Sequence, residues 1–311
     1  MQAAIVDEFG DPPRLVLREV PTPRPGPGQI RIKVAAAGIN PVDTYNAKDP
    51  SWAGLDVGCI LGYDISGAVD AVGDGLSDTR LGQNAMAMTA FPLGQGGYAE
   101  YAVVDEALTA YLPGDSDLVA AASVPLAAGT ALEVLRKLEA AGSTMLVVGG
   151  SGGVGLFLLQ LASAAGIRVI ALGQERSHDV MRAHGAAECV DYRSADAIAQ
   201  AADAAGGSFD SIADLVGGPL TGQAQPYLRD EGVIAAIAGP ELDVDQMIDA
   251  NQSFHGILIR DDGDRVRHLA GLFTAGRLKT HVTQVLPLAD VAEAHRLVDS
   301  GEAAGKVVLK P

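Results

Sequence analysis

Residues 145–155 read MLVVGGSGGVG, and this stretch decides the fold of the chain. Its four apolar residues are too few for a helix and indicate a buried strand, whereas the Leu-rich run that follows repeats at helical spacing. The stretch therefore predicts a strand, a glycine turn and a helix, and its glycines match GxGxxG. Such a turn lets the backbone approach a pyrophosphate, and the N–H groups that begin the helix face the phosphates. The predicted contacts are Gly150, Ser151, Gly152, Gly153, Val154 and Gly155.

The same stretch also spells GxSxG, the nucleophile elbow of serine hydrolases, over residues 149–153. A hydrolase needs an acid and a histidine downstream, and Asp214 and His295 are candidates by order alone. His295 lies in a helical pattern, however, and no HGGG-like oxyanion segment is present. Ser151 is therefore interpreted as a turn residue, and a serine hydrolase stays a remote alternative.

Composition limits the classes of function that remain. The 311 residues are 48% hydrophobic and 20% charged, which is typical of a globular protein of two domains. The net charge of −17, with no Lys/Arg cluster, disfavours binding to nucleic acid or to anionic membranes. Cys59 and Cys189 lie far apart, and neither a signal peptide nor a membrane span is recognisable, so we expect a cytoplasmic protein.

The texture of the chain changes near residue 118. Before it, short β-like runs are broken by Gly and Pro; after it, Ala-rich helical stretches alternate with apolar strands. Alternating strands and helices predict a doubly wound parallel sheet. The tail after residue 260 again mixes strand and helix. The strands predicted for the parallel sheet are 145–148, 168–172, 211–215, 232–238 and 256–259.

Five further segments occur in a fixed order from one chain end to the other: AGINPVD at 37–43, LGYDISG at 61–67, GGYAEY at 96–101, Gly185-Ala186 with VDY at 190–192, and GKVVL at 305–309. With them the chain resembles the zinc-independent quinone oxidoreductases of the medium-chain dehydrogenase/reductase superfamily. The resemblance implies an α/β protein with a GroES-like β-rich catalytic domain, a Rossmann nucleotide-binding domain and an active site in the cleft. The implied domains are 1–118 with 262–311, and 119–261.

The choice of cofactor depends on the end of the second strand of the nucleotide domain. NAD enzymes usually place a carboxylate there, whereas this strand ends in Gly173-Gln174, with Glu175 one residue further. Arg176 and Ser177 follow, and a guanidinium there would bind a 2′-phosphate; the alternative is an arginine at a solvated helix start. NADPH is therefore favoured over NADH.

Further cofactor residues come from strand ends and from the resemblance. Val216-Gly217 and Ala238-Gly239 follow two strands on the carboxyl side, where ligands of open α/β sheets lie, although turn glycines would explain them equally. The resemblance places Thr130 near the nicotinamide amide and Tyr192 near the adenosine ribose phosphate. A helix N-cap for Thr130 and a half-buried strand tyrosine for Tyr192 stay open as alternatives.

No metal site is predicted. Asn40 stands where zinc-dependent relatives place a Cys, Tyr63-Asp64 stands where they place His-Glu, and the four-cysteine lobe is missing. Without a Lewis acid, catalysis needs hydrogen-bond donors beside the acceptor. The resemblance gives this role to Asn40 and Tyr45, although an Asn-Pro pair is also a common turn initiator.

The activity that the resemblance implies is NADPH-dependent transfer of hydride, or of single electrons, to quinones or α,β-unsaturated carbonyls. The substrate cleft would draw on loops 45–55 and 91–95, with Trp52 either in its wall or in the core. A non-catalytic NADPH-binding protein, crystallin-like or regulatory, is the alternative. In the family the edge formed by the 256–259 run pairs across a dimer axis, so a homodimer is expected.

Overall fold

The computed structural model describes residues 1–90, 96–138 and 142–311. The chain forms two compact units, one of Met1–Gly129 with Arg260–Pro311 and one of Thr130–Ile259. The first is rich in β-strands and the second is α/β, which confirms the predicted fold class. The division lies inside a helix, after the change of texture that the sequence shows near residue 118. None of the described helices is long and apolar enough to span a membrane.

The first unit begins with a run of short strands. Its elements up to the division are β1 (Gln2–Glu8), β2 (Arg14–Glu19), β3 (Gln29–Ile39), α1 (Pro41–Lys48), β4 (Asp64–Val72), β5 (Asn84–Met88), β6 (Tyr101–Asp105), β7 (Thr109–Leu112), α2 (Leu118–Ala121) and α3 (Pro125–Leu138).

The second unit alternates strands with helices. Its elements are β8 (Thr144–Val148), α4 (Gly153–Ala164), β9 (Arg168–Gly173), α5 (His178–Ala183), β10 (Glu188–Asp191), α6 (Ala197–Ala205), β11 (Phe209–Asp214), α7 (Pro219–Ala224), β12 (Leu228–Ala236), α8 (Val244–Asp249) and β13 (Ser253–Gly256). The six strands are all parallel, in the order β10-β9-β8-β11-β12-β13. This is the doubly wound arrangement in which ligands bind beyond the carboxyl ends of the strands.

The last strand of this sheet differs from the prediction. It spans Ser253–Gly256, not 256–259, and the following residues have no regular structure. The reason is the register with β12, which pairs Ala236 with Gly256. Because β12 ends at Ala236, the apolar run after Gly256 has no neighbouring strand to extend, and Leu258 is half exposed.

The chain then returns to the first unit through α9 (Gly263–Thr274), β14 (Val282–Pro287), α10 (Val291–Asp299) and β15 (Lys306–Lys310). Strand β15 lies between β14 and β3 in a seven-stranded sheet of order β14-β15-β3-β4-β5-β7, with β6 also paired to β3. Strand β3 extends to Ile39 because its end pairs with β15, Ile39 opposite Val307. The C-terminal strand thus places Lys306 beside the end of β3.

Candidate active site

The predicted glycine turn connects β8 to α4. Gly155 is required by packing within the turn itself, because a Cβ there would lie 2.3 Å from the Gly149 carbonyl oxygen. Gly150 is required for the approach of the neighbouring strand, since its Cβ would lie 2.9 Å from the Cβ of Ala171. Gly149 has a φ of 89°, which favours glycine. These glycines give the loop its shape.

Gly152 has a different explanation. It is the N-cap of α4, and a Cβ there would meet nothing closer than the Gly149 carbonyl oxygen, at 3.5 Å. No side chain caps this helix. Backbone N–H groups at the start of α4 therefore face open space that a methyl group would enter, and that arrangement fits the pyrophosphate of a dinucleotide.

The end of β9 carries the predicted adenosine-side residues. Gly173 is the last residue of the strand, Arg176 is exposed and Ser177 is buried. Tyr192 directly follows β10, is 39% exposed, and accepts a hydrogen bond from Gln174 Nε2 at 3.2 Å. The ends of β9 and β10 therefore place Tyr192 in contact with Gln174, the residue that follows Gly173.

The sequence interpretation overlooked a carboxylate at this place. Asp191, the last residue of β10, accepts from the Arg193 guanidinium, with Nη2 at 2.5 Å, and from the backbone N–H of Glu175 at 3.2 Å. The Arg193 side chain holds the pKa of Asp191 well below its ordinary range. The residues that follow β9 in the sequence do not include it, because it belongs to the neighbouring strand β10, where it pairs with Gly173.

Beyond β11, two predicted loops touch each other. The backbone N–H of Gly218 donates to the carbonyl of Gly239 at 3.0 Å, which joins the Val216-Gly217 turn to the Ala238-Gly239 segment. Asp214 holds the first turn: its Oδ1 accepts from the N–H groups of Val216 and Gly217, at 2.9 and 2.7 Å. Its Oδ2 accepts from the Thr221 hydroxyl at 2.6 Å. Asp214, which the sequence offered only as a hydrolase acid, is thus a buried support of this turn.

These contacts give the hydrolase alternative no support. The carboxylate of Asp214 already has partners on both oxygens. The ring of His295 is buried in the first unit, edge-on to Tyr98, with 5.7 Å between ring centroids. Ser151 instead lies where a Cβ added to Gly173 would be 3.4 Å from its Oγ, so its hydroxyl borders the end of β9.

Thr130 is the first residue of the second unit and lies within α3, where it is 6% exposed. The alternative that it caps a helix is therefore wrong, since α3 begins five residues earlier in the chain, at Pro125. Thr130 is buried, and its contact with a nicotinamide stays a prediction.

The first unit holds a buried polar cluster around Asn40. Asn40 is the N-cap of α1 and donates its backbone N–H to Asp43 Oδ2 at 2.8 Å. Its side-chain Nδ2 donates to Asp64 Oδ2 at 2.9 Å, while Lys306 Nζ donates to its Oδ1 at 2.5 Å. Tyr45 lies on α1, not in a loop, and is 54% exposed. Only Tyr45 of the two predicted catalytic residues is open to solvent.

Burial changes the acidity of this cluster. Desolvation raises the pKa of Asp43 to about 7, although the carboxylate also accepts from the Gly62 N–H at 3.0 Å. Burial likewise raises the pKa of Tyr63, whose hydroxyl accepts from Asn46 Nδ2 at 2.7 Å. The cluster is therefore an environment that disfavours further negative charge.

The cluster does not fit a zinc ion. Zinc is bound by thiolate, imidazole or carboxylate ligands, whereas this place offers an amide, a phenol and carboxylates beside the Lys306 ammonium. Over residues 1–90, 96–138 and 142–311, no group of three His, Cys, Asp or Glu side chains has the arrangement of a metal site. Of the predicted substrate loops, 91–95 lies outside the described residues, and Trp52 is 38% exposed.

A glycine-lined helix N-terminus beyond a doubly wound sheet, together with a β-rich unit built from both chain ends, defines a two-domain oxidoreductase of the nicotinamide-dinucleotide-binding class. Residues 26–114 match the family model "Alcohol dehydrogenase GroES-like domain", and residues 184–309 match "Zinc-binding dehydrogenase".

Individual relatives show which family of this class the chain belongs to. A quinone oxidoreductase of Lama guanicoe is 31% identical, with 99% of this chain and 97% of the relative covered. A chloroplastic NADPH-dependent alkenal/one oxidoreductase of Arabidopsis thaliana is 28% identical, covering 100% of this chain and 80% of its own. A mycobacterial protein solved in complex with NADPH is 29% identical with a TM-score of 0.85 and full coverage of both chains. The chain belongs to the quinone oxidoreductase, or zeta-crystallin-like, family of the medium-chain dehydrogenases/reductases.

Proposed function

We propose that this chain reduces quinones or α,β-unsaturated carbonyls with NADPH and without a metal ion. The observation that carries the proposal is the open N-terminus of α4 at Gly152, a glycine that packing within the chain does not require. Relatives named as a quinone oxidoreductase and as an NADPH-dependent alkenal/one oxidoreductase align with nearly the whole chain. Bound NADPH supplies the hydride; the substrates have in common a conjugated carbonyl that accepts it.

On the cofactor side, Gly150–Gly155 would bind the pyrophosphate through backbone N–H groups. The exposed Arg176 would bind the 2′-phosphate, with Tyr192 beside the ribose; the exposed guanidinium just past β9 favours NADPH over NADH. Asp191 is neutralised by Arg193, so its carboxylate does not repel a phosphate as a free one would.

On the acceptor side, Tyr45 would donate a hydrogen bond to the carbonyl oxygen that becomes negative as hydride arrives. Tyr45 is exposed and can contact a ligand, whereas Asn40 is 1% exposed and would act by capping the buried N-terminus of the same helix. The ammonium of Lys306 beside Asn40 supports metal-free chemistry, because it disfavours a second cation there.

A matched pair of glycine substitutions tests cofactor binding. Gly152→Ala adds a methyl group where only the ligand would meet it, so we expect NADPH affinity to fall at least about tenfold with an unchanged melting temperature. Gly271→Ala, on α9 with open space around the added carbon, is the control: it should keep the NADPH affinity, and its melting temperature should not fall, because alanine favours a helix interior more than glycine does. Unaltered NADPH affinity in Gly152→Ala would remove the basis of the proposal.

Activity is tested by following NADPH oxidation with 1,4-benzoquinone, 9,10-phenanthrenequinone and a series of 2-alkenals. We expect turnover with at least one class, and no inhibition by a zinc chelator. NADPH binding without turnover of any of them would favour the non-catalytic alternative.

We also propose a cytoplasmic homodimer. Strand β13 is the edge of the six-stranded sheet, and Phe254 on it is 41% exposed. Val244 and Ile248 of α8 and Leu258 after β13 are also exposed apolar residues of this unit. Pairing of two copies along this edge would cover an exposed strand and its apolar neighbours. Both cysteines are free thiols, which suits a reducing compartment.

A further inference from the structure

The side-chain amide of Asn40 is held from both ends by an ion pair. Lys306 Nζ donates to Oδ1 at 2.5 Å, and Nδ2 donates to Asp64 Oδ2 at 2.9 Å. The two charged groups are themselves 3.7 Å apart. Asn40, Asp64 and Lys306 are 1%, 0% and 4% exposed, so water does not compete for these bonds.

The pair also anchors the surrounding backbone. Asp64 Oδ1 accepts from the N–H of Leu126 at 2.7 Å, in the first turn of α3, and Lys306 Nζ donates to the carbonyl of Ile39 at 2.9 Å. Burial raises the pKa of Asp64 and lowers that of Lys306, and the attraction between them opposes both shifts. The start of α1 is thereby tied to β3, β4, β15 and α3.

This arrangement permits one orientation of the Asn40 amide. A lysine ammonium only donates hydrogen bonds and an ionised aspartate only accepts them, whereas an amide has one end of each kind. If the amide were turned over, its NH₂ group would face the ammonium and its oxygen would face the carboxylate. A neutral pair of amide or hydroxyl groups would not impose this choice, because such groups both donate and accept.

We propose that Lys306 and Asp64 are positioning residues, which fix Asn40 and through it the N-terminus of the helix that presents Tyr45. The proposal rests on the function proposed above, in which Tyr45 donates to the acceptor oxygen. Asn40 caps α1, and its backbone N–H donates to Asp43 in the first turn. If Asn40 is no longer fixed, the turn that precedes Tyr45 therefore becomes more mobile.

The test replaces both charges together, because a single replacement would leave a lone buried charge and endanger folding. In Asp64→Asn/Lys306→Met we expect kcat to fall about 10- to 100-fold, as for a misplaced catalytic group, with an unchanged KM for NADPH. Tyr45→Phe should lower kcat similarly. The triple variant should lose no more than the larger of the two losses, because both act on one group.

A control removes another ion pair of the same seven-stranded sheet. Arg31 and Asp70 join β3 to β4 at 2.9 Å, and Arg31→Met/Asp70→Asn should leave kcat unchanged. Multiplicative losses in the triple variant, or full activity in the Asp64/Lys306 variant, would overturn the proposal.

Hydrogen exchange separates this proposal from the proposed function. The amides of residues 42–48 should exchange faster in the Asp64/Lys306 variant than in the wild type, with the rest of the chain unaffected. If protection of α1 is lost and Tyr45→Phe keeps full kcat, the helix is positioned as inferred but Tyr45 is not the donor. If protection of α1 is unchanged, Lys306 and Asp64 do not position it.

Discussion

Replacing His295 by Phe should make the chain more stable, and increasingly so in acid. The imidazole lies on α10 against Tyr98, is 3% exposed, and has no hydrogen-bond partner for either ring nitrogen within the described residues. An unpaired buried polar group costs about 1–3 kcal/mol, whereas a phenyl ring keeps the edge-on packing. We therefore expect His295→Phe to gain at least about 1 kcal/mol at pH 7.5.

The acid part of the effect follows from the pKa of His295, which burial lowers to about 4 against an ordinary value of 6.5. Nearby Asp299 favours the proton, and Lys48 disfavours it. Below pH 6.5, His295 binds a proton in the unfolded chain but stays neutral in the folded chain. The free energy of unfolding therefore falls as the pH drops to about 4. The loss is about 2 kcal/mol at pH 5 and about 3 kcal/mol at pH 4. The variant His295→Phe does not show this loss, because a phenyl ring binds no proton.

The assay is urea unfolding at pH 7.5 and pH 5, followed by the fluorescence of Trp52, the sole tryptophan, which lies in the same unit. His268→Phe, at an exposed position of α9, is the control and should change stability equally at both pH values. An NMR titration identifies His295 by the signal that His295→Phe lacks. A midpoint near 6.5, or equal gains at the two pH values, would refute the reasoning.

Three further predictions concern the second unit. Asp214→Ala removes the acceptor for two backbone N–H groups, so the turn at Val216 should loosen and the Kd for NADPH should rise about tenfold by fluorescence titration; an unchanged Kd would mean that this turn does not bind cofactor. Arg176→Ala should raise the KM for NADPH about tenfold and leave that for NADH unchanged, and an equal effect on both would exclude a 2′-phosphate contact. Phe254→Lys places a charge on the edge strand, so light scattering should show a monomer where the wild type is a dimer; a monomeric wild type would refute the proposed pairing.

Local pattern was enough for much of the second unit. Four apolar residues, a glycine turn and a Leu-rich run give β8 and α4 directly, because these elements depend on periodicity and on backbone freedom within one stretch. The end of the sheet was misplaced because the position of β13 depends on its register with β12, which periodicity does not contain. A similar dependence holds in the first unit, where the Ala- and Met-rich segment β5 becomes a strand through its pairing with β4.

The candidate site shows the same division. Sequence alone determined the glycine turn, the replacement of the cysteine and histidine ligands of zinc-dependent relatives by Asn40 and Tyr63, and the resemblance that identified the family. Tertiary structure decided where those residues lie: it placed Tyr45 on an exposed helix face, enclosed Asn40, and brought Lys306 from the far end of the chain to the Asn40 amide. The physical reason is that hydrogen bonds and ion pairs depend on distance in space. Asn40 and Lys306 meet only because β15 pairs with β3.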